Sequence, residues 1–375
     1  MAKTTLVGQE LIRYLETYFP QTYAMENDPV GLQIGTLNKK IKTILVALDV
    51  DQRVCDEAIA KGVDLIIAHH PFLYRPLTKI ATDTPKGKIV MQLIKNDIAV
   101  YAAHTNLDIA PGGLNDWLAQ KLGLTGTRVL SPTGATQLQK FIGYVPKTHL
   151  EHVREAVMAV NHREVHGYRH CVFTSPGTGS FEPLETASPF IGEKQQLNFV
   201  EEIRLEFLAQ ASDMEAIISR YCDAHPYEVP AYETVTVEQT GSSYGLGRIG
   251  ELPQAVSFNK FISTLKKAYR LDGVRVVGAK PDQQIRHVAI LGGSGSGYWR
   301  DAKRQKADVY LTGDIGYHDA QEAVEAKMML VDIGHYAEHV CKENLHKMIT
   351  HFLEEQHYDA QVLTTTSEVD PFEMW

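Results

Sequence analysis

The sequence predicts an α/β protein: two α/β halves with mainly parallel sheets, and an α+β domain of ferredoxin-like order inserted between them. Three observations carry this. Short β-branched apolar runs alternate with helical-period segments over residues 43–125. The same plan returns over residues 285–350. Between them the elements run β-α-β-β-α-β, the ferredoxin-like order. The expected boundaries are 1–127, 128–245 and 246–375.

In the first half, Thr43–Leu48 (TILVAL) reads as a buried strand. Asp51–Lys61 has helical spacing, with Val54, Ala58 and Ile59 on one side, and stops at Gly62. Asp64–Ala68 is a second strand, Lys86–Asn96 a second helix and Ile98–Ala103 a third strand. Helices between apolar runs imply right-handed crossovers and a parallel sheet. In the middle, Phe141–Lys147 reads as a strand and His149–Val160 as a helix. Tyr168–Thr174 and Phe199–Phe207 read as strands, followed by a helix over Ser212–Ala224. Ser212 is its expected N-cap, with Glu215 at the capping-box position. Tyr232–Glu238 is the last strand of this domain. In the second half Val288–Leu291, Asp308–Thr312 and Met328–Ile333 are the strands.

Composition narrows the function. The 375 residues carry 37 Lys and Arg against 46 Asp and Glu, a net charge of −9, which disfavours broad binding to nucleic acid backbones. No helix-turn-helix or Lys/Arg stripe is seen. No apolar run approaches the ~20 residues of a membrane helix, and the N-terminus has no signal-peptide core before Glu10. Cys55, Cys171, Cys222 and Cys341 are too far apart for a C-x-x-C pair and read as buried reduced thiols of a cytoplasmic protein. Against 4 cysteines stand 16 histidines, so any metal is expected on imidazole and carboxylate.

Three polar clusters follow predicted parallel strands directly: Ala68-His69-His70-Pro71-Phe72, His104-Thr105-Asn106-Leu107-Asp108, and Asp332-Ile333-Gly334-His335-Tyr336-Ala337-Glu338. Open α/β sheets bind ligands at the carboxyl ends of their strands. Adjacent histidines in a turn can diverge toward two metal ions, and Pro71 holds His70 extended. His335 and Glu338, at i and i+3 on a first helical turn, share a face. That face continues as the apolar stripe of Cys341, Leu345, Met348 and Phe352, so Glu338 is expected to point inward, where a carboxylate needs a partner such as a divalent cation. A single histidine after a strand is commonly a polar end-cap. Three such clusters on matching strand ends point to a metal site.

Weaker candidates are the loop Gly292–Gly297, either a phosphate cradle or a tight turn that leaves room beside the site, and His318 and Asp49 at strand ends. His149, His152, His162, His166 and His170 are spread irregularly and read as solvated surface. No G-x-S-x-G supports serine chemistry.

Together AHHPF, HTNLD with PGGLND, GLGRIGEL, GGSGSG, and TGDIGYHD followed by DIGH resemble the family of GTP cyclohydrolase 1 type 2 homologues, the Nif3-like proteins. The stretch Ala224–Tyr232 (AHPYEVPAY) resembles the CutA/PII-like insert of its longer bacterial members. The resemblance implies that both outer segments form one Nif3-like unit with a dinuclear metal site. His70 and Asp108 would hold one ion, His69 and His335 the other, and Glu338 would bridge them. Some relatives place the glutamate four residues after the histidine; here the spacing is three, and Glu338 is kept because it stays on the same helix face, with His339 as the lesser alternative. The resemblance also implies a ring-shaped homo-oligomer, a hexamer.

The expected function is a metal-dependent hydrolase acting on a nucleotide or related small molecule, with a metal-bridged hydroxide as nucleophile and His104 or His318 as proton carrier. Two divalent ions per chain are expected, zinc foremost, with iron, manganese, cobalt or nickel as alternatives. The other reading is a metal-binding regulatory or scaffold protein without turnover, the insert acting as effector or interaction module.

Overall fold

A computed structural model describes residues 4–161, 164 and 167–373. His162 and His166 of the histidine-rich tract, and the first three residues, lie outside the described residues. The chain divides into two compact units, Met1–Thr133 with Tyr244–Trp375, and Gly134–Ser243. It passes between them within two long strands, Thr125–Pro146 and Tyr232–Ser257.

The first unit is built on two mixed sheets. In one, a five-stranded sheet, the strands lie in the order Gln361–Thr364, Thr43–Ala47, Leu65–Ala68, Ala99–Ala102 and Gly31–Ile34. The first four are parallel and the last is antiparallel. The other sheet has Gln284–Ser294, Val309–Gly313 and Met329–Asp332 parallel at its centre. Arg275–Val277 and residues 248–257 flank them, both antiparallel. The expected parallel centres are present, but antiparallel edges make each sheet mixed.

The central strands are buried on both faces, which explains their unbroken apolar sequences. Ile44, Val46, Ile67 and Tyr101 share a core with Val309, Leu311 and Val331 of the second sheet and with the helices Phe258–Tyr269 and Val340–Glu355. Leu45, Ala47 and Ile66, on the opposite face, pack under Gln52–Ala60 and Pro85–Lys95. Each fully buried Leu, Ile or Val contributes ~1.5–3 kcal/mol. The helices begin where their caps allow. The Asp51 carboxylate accepts the Val54 N–H at 2.9 Å. Thr84 accepts from Gly87 at 3.1 Å, with Pro85 in the first turn.

In the second unit the elements follow the order strand, Leu150–Val160 helix, Val172–Phe181, Asn198–Gln210, Met214–Ala224 helix, strand. Asn198–Gln210 pairs antiparallel with residues 138–146 on one side and with Val172–Phe181 on the other. Phe141, Val145, Leu205 and Phe207 form its core with Val153, Val157, Ile217 and Tyr221 of the two helices. Ser212 is not the N-cap. A tighter turn over Ala211–Asp213 precedes the helix, and the Ser212 hydroxyl donates to Asp213 instead. His225 is buried in a turn: its Nε2 donates to the Tyr144 carbonyl at 2.9 Å and its Nδ1 accepts the Tyr227 N–H at 3.1 Å.

All four cysteines are free. Cys55 and Cys341 are buried as expected, Cys222 is half-buried and Cys171 exposed. Among the described residues no helix is long and apolar enough to cross a membrane.

Candidate metal centre

The three clusters meet at the carboxyl ends of parallel strands. His69 and His70 follow Leu65–Ala68, and His104 follows the neighbouring Ala99–Ala102 strand. Asp108 sits one turn on, in the short helix Thr105–Ile109. His335 and Glu338 follow Met329–Asp332 in the other sheet of the same unit. Their segment, His335–His339, is a 3₁₀ turn ahead of the α-helix rather than its first turn. In a 3₁₀ turn residues i and i+3 eclipse, so the two still face the same way. Gly334 makes the sharp exit from the strand, at φ +75°, where a side chain would be strained.

Each histidine ring is fixed through Nδ1. His69 donates from Nδ1 to the Ala103 carbonyl at 2.7 Å. His70 Nδ1 bonds Asp49 at 2.9 Å, His104 Nδ1 bonds Asp28 at 2.9 Å, and His335 Nδ1 bonds Asp314 at 2.7 Å. Such bonds select the tautomer with a free lone pair on Nε2, the usual arrangement behind metal-ligating imidazoles. The Nε2 atoms of three rings converge on the Glu338 carboxylate, at 2.9 Å from His70, 3.3 Å from His335 and 3.7 Å from His69. His69 Nε2 is 3.5 Å from Asp108 Oδ1, and His70 Nε2 is 3.3 Å from His335 Nε2. The distances thus set His69 beside Asp108 and His70 beside His335, the reverse of the pairing implied by the family resemblance. Glu338 is common to both sets.

Electrostatically the cluster is tense. His69 is 0% exposed, Glu338 2% and Asp108 8%. The buried atoms His69 Nε2 and Asp108 Oδ1 have no hydrogen-bond partner. Burial opposes a charge on His70, yet hydrogen bonds to Asp49 and Glu338 push it up to about 10. The bond to Glu338 outweighs burial and raises His335 to about 9. Burial would raise Glu338, but the imidazoles of His335, His69 and His70 beside it hold it well below the ordinary carboxylate value. Burial, with the Glu338 charge beside it, pushes Asp108 up. Protons here stand where positive charge is needed between two buried carboxylates. A divalent cation meets the same need and also gives His69 Nε2 and Asp108 Oδ1 their missing partner.

Three overlapping sets have ligand atoms within 4.8 Å of one another: His69, His70 and His104; His70, His335 and Glu338; His69, Asp108 and Glu338. These imidazole and carboxylate donors fit a first-row transition ion. His318 lies outside the cluster, exposed at the start of the Tyr317–Glu325 helix. Asp28 was not foreseen. It comes from the irregular Asn27-Asp28-Pro29 loop, where no periodicity marks a residue as inward, and it also accepts the Thr105 N–H at 3.1 Å.

The glycine-rich loop gives room. A Cβ at Gly293 would lie 2.6 Å from Glu338 Oε1, and one at Gly292 3.0 Å from the same atom. Asn115 braces the loop. It accepts the Gly292 N–H at 3.0 Å and donates to the Asp108 carbonyl at 2.9 Å. Behind it Arg248 is 3% exposed and every guanidinium N–H is used. It makes a bidentate pair with Asp116 at 2.8 and 2.7 Å and bonds the carbonyls of Gly245, Gly247 and Ala110. GLGRIGEL and PGGLND are thus two sides of one buried clamp that fixes the loop after Asp108. A cleft of about 990 Å³ reaches the cluster at His335 and Asp314, with Arg270, His339 and Lys342 along it.

Known proteins share this architecture. A Bacillus cereus protein related to NIF3 superposes with a TM-score of 0.91 at 41% identity, each chain covered completely. Staphylococcus aureus protein SA1388 gives 0.74 at 31% identity, again with both chains fully covered. A Bacillus subtilis (strain 168) protein named GTP cyclohydrolase 1 type 2 homolog is 45% identical over 372 residues, 99% of either chain. The model of Duf34/NIF3 (NGG1p interacting factor 3) matches residues 7–371, which include the three histidine clusters, the glycine loop and the Arg248 clamp. A match spanning both units and every residue of the cluster makes this chain a member of the Duf34/NIF3 family.

Proposed function

We propose that the chain holds two divalent metal ions at His69, His70, Asp108, His335 and Glu338, zinc foremost, and is a metal-dependent hydrolase of a nucleotide or related small molecule. One observation carries the metal: four imidazoles tied down at Nδ1, three of them turned with Nε2 toward shared, buried carboxylates, one of which has an oxygen with no partner. Paired divalent ions acidify water and polarise an electrophile. The hydrolytic half draws on the name GTP cyclohydrolase 1 type 2 homolog carried by relatives. It also draws on the cleft, whose size suits a nucleotide.

The chain's own residues have definite tasks here. Asp49 and Asp314 orient His70 and His335. His104, backed by Asp28, stands edge-on to His69 and His70 with ring centroids 5.4 and 5.7 Å away, within reach to hold or pass a proton. Elemental analysis beside turnover tests this. Wild type is expected to carry about two metal equivalents, and His70→Ala and Glu338→Ala to lose half or all of them. Metal-loaded protein is expected to hydrolyse GTP or another nucleotide, with chelated protein inert. Full metal content in both variants removes the ligand assignment. Inert metal-replete protein across nucleotides, phosphoesters and amides removes the hydrolase.

We read the second unit as a ferredoxin-like, CutA/PII-like insert, on its element order and antiparallel pairing. Assembly into a ring-shaped homohexamer belongs to the same reading, with six chains expected by light scattering. Binding without turnover, with this unit as effector module, is favoured by a separate pocket within it.

A further inference from the structure

We propose that the second unit binds a small organic cation, an ammonium group on an apolar body, in a pocket remote in sequence from every metal ligand. The pocket measures about 340 Å³. Phe181, Phe190 and Tyr227 supply aromatic walls, with the Phe181 and Tyr227 ring centroids 6.2 Å apart. Glu182, Glu202 and Glu228 also line it, and among the described lining residues there is no lysine, arginine or histidine.

The carboxylates are placed, not incidental. A Cβ at residue 179 would come within 2.3 Å of Glu202 Oε2, so Gly179 leaves room for the Glu202 carboxylate, carried by Asn198–Gln210, to lie over the neighbouring strand Val172–Phe181. Among the described residues Glu202 has no basic partner. The Tyr227 hydroxyl, the polar group beside it, is itself buried without a well-formed hydrogen bond. Glu228 accepts the Ser188 N–H and so ties down the segment that carries Phe190. The His149 ring braces Phe190 edge-on at 5.3 Å.

The ligand class follows from this chemistry. Negative charge among ring faces attracts a cation twice, through the carboxylates and through the ring quadrupoles. A metal ion is the poorer occupant. Among the described residues, clusters of three ligand atoms close enough for one occur only in the first unit. Apolar walls of this extent suit carbon. An anion would face three carboxylates and no cationic side chain.

Calorimetric titration of the full chain tests the assignment with three probes of one shape: phenethylammonium, phenethyl alcohol and phenylacetate. Phenethylammonium is expected to bind once per chain, about tenfold or more tighter than the alcohol, with phenylacetate not binding. The isosteric change Glu202→Gln is expected to bring ammonium and alcohol within about twofold of each other. Should that variant fail to fold, Phe190→Ser changes a rim side chain 53% exposed, and is expected to weaken the ammonium at least about threefold. Equal binding of the alcohol or the acid, no ammonium binding, or unchanged ammonium affinity in a folded Glu202→Gln overturns the proposal.

Discussion

Asp49, Asp28 and Asp314 touch none of the buried carboxylates, yet each determines how one imidazole presents itself. Asparagine at position 49 keeps the size but removes the charge that steadies the His70 N–H. Asp49→Asn is expected to weaken metal binding about tenfold, measured by competition with a chelator of known affinity. An unchanged affinity means the His70 ring is held by packing alone. The glycine loop gives a second test. Gly293→Ala puts a methyl group against Glu338 at a backbone φ of +62°. It is expected to cost ~1–3 kcal/mol and most of the metal. Gly297→Ala meets nothing within 4 Å and is the matched control. A phosphate cradle predicts instead that both variants lose anion binding and keep the metal. At this scale the sequence was most informative about which residues cluster, because a histidine directly after a buried apolar run sits at the carboxyl end of its strand. Asp28 was hidden because it sits on a loop with no period to read.

Strands were legible where both faces are buried, and helices where an apolar stripe repeats along one side. Edge strands were not. Gly31–Ile34, Arg275–Val277 and Gln361–Thr364 are three or four residues long with partial exposure, so neither alternation nor an apolar run marks them. Two ties between elements show how they are secured. Glu57, on the helix Gln52–Ala60, meets Lys61 and the Thr365, Thr366 and Ser367 donors. Burial lifts its carboxyl, but these partners outweigh that and set it at about 2, against 4.5 ordinarily. A depressed carboxylate stabilises fully above its unfolded value and loses that contribution as protons bind the folded form. Glu57 therefore helps above pH 4.5, and its help fades as pH falls toward 2. Glu57→Gln is expected to lower stability at neutral pH and to flatten the acid limb of a denaturant-melt series. An acid limb identical to wild type refutes the tie. In the second case, Arg248→Lys retains a charge but loses the fork to Asp116. It is expected to destabilise by ~2–4 kcal/mol and to loosen metal through the Ala110–Asp116 loop. A melting temperature within error of wild type contradicts this.

Across the molecule the two α/β halves are not separable. The strand Gln361–Thr364, near the end of the chain, pairs with Thr43–Ala47 and closes the sheet of the first half. Glu368 then accepts the N–H groups of Leu48 and Asp49 at 2.7 and 3.0 Å, so the tail also sets the backbone of the residue that orients His70. The expected boundary at 246 divides the sequence but not this sheet, because parallel pairing needs no local turn to announce it. A chain stopped after Tyr358 uncovers a strand buried at every residue. It is expected to lose native circular dichroism and to aggregate, whereas a folded, metal-binding truncation contradicts the shared sheet. Metal should stabilise the whole first unit by mass action, ~2.7 kcal/mol at a hundredfold excess over the dissociation constant, and chelation should lower the melting temperature.

The cluster spans His69 to Glu338, and the strand that completes the sheet beneath its first histidines lies later still. A nascent chain therefore has no complete cluster until Gln361–Thr364 has been made. The first histidines emerge long before Glu338, and the sheet beneath them waits for Gln361–Thr364. An ion offered to the folded protein meets an assembled cage, not the first histidines alone.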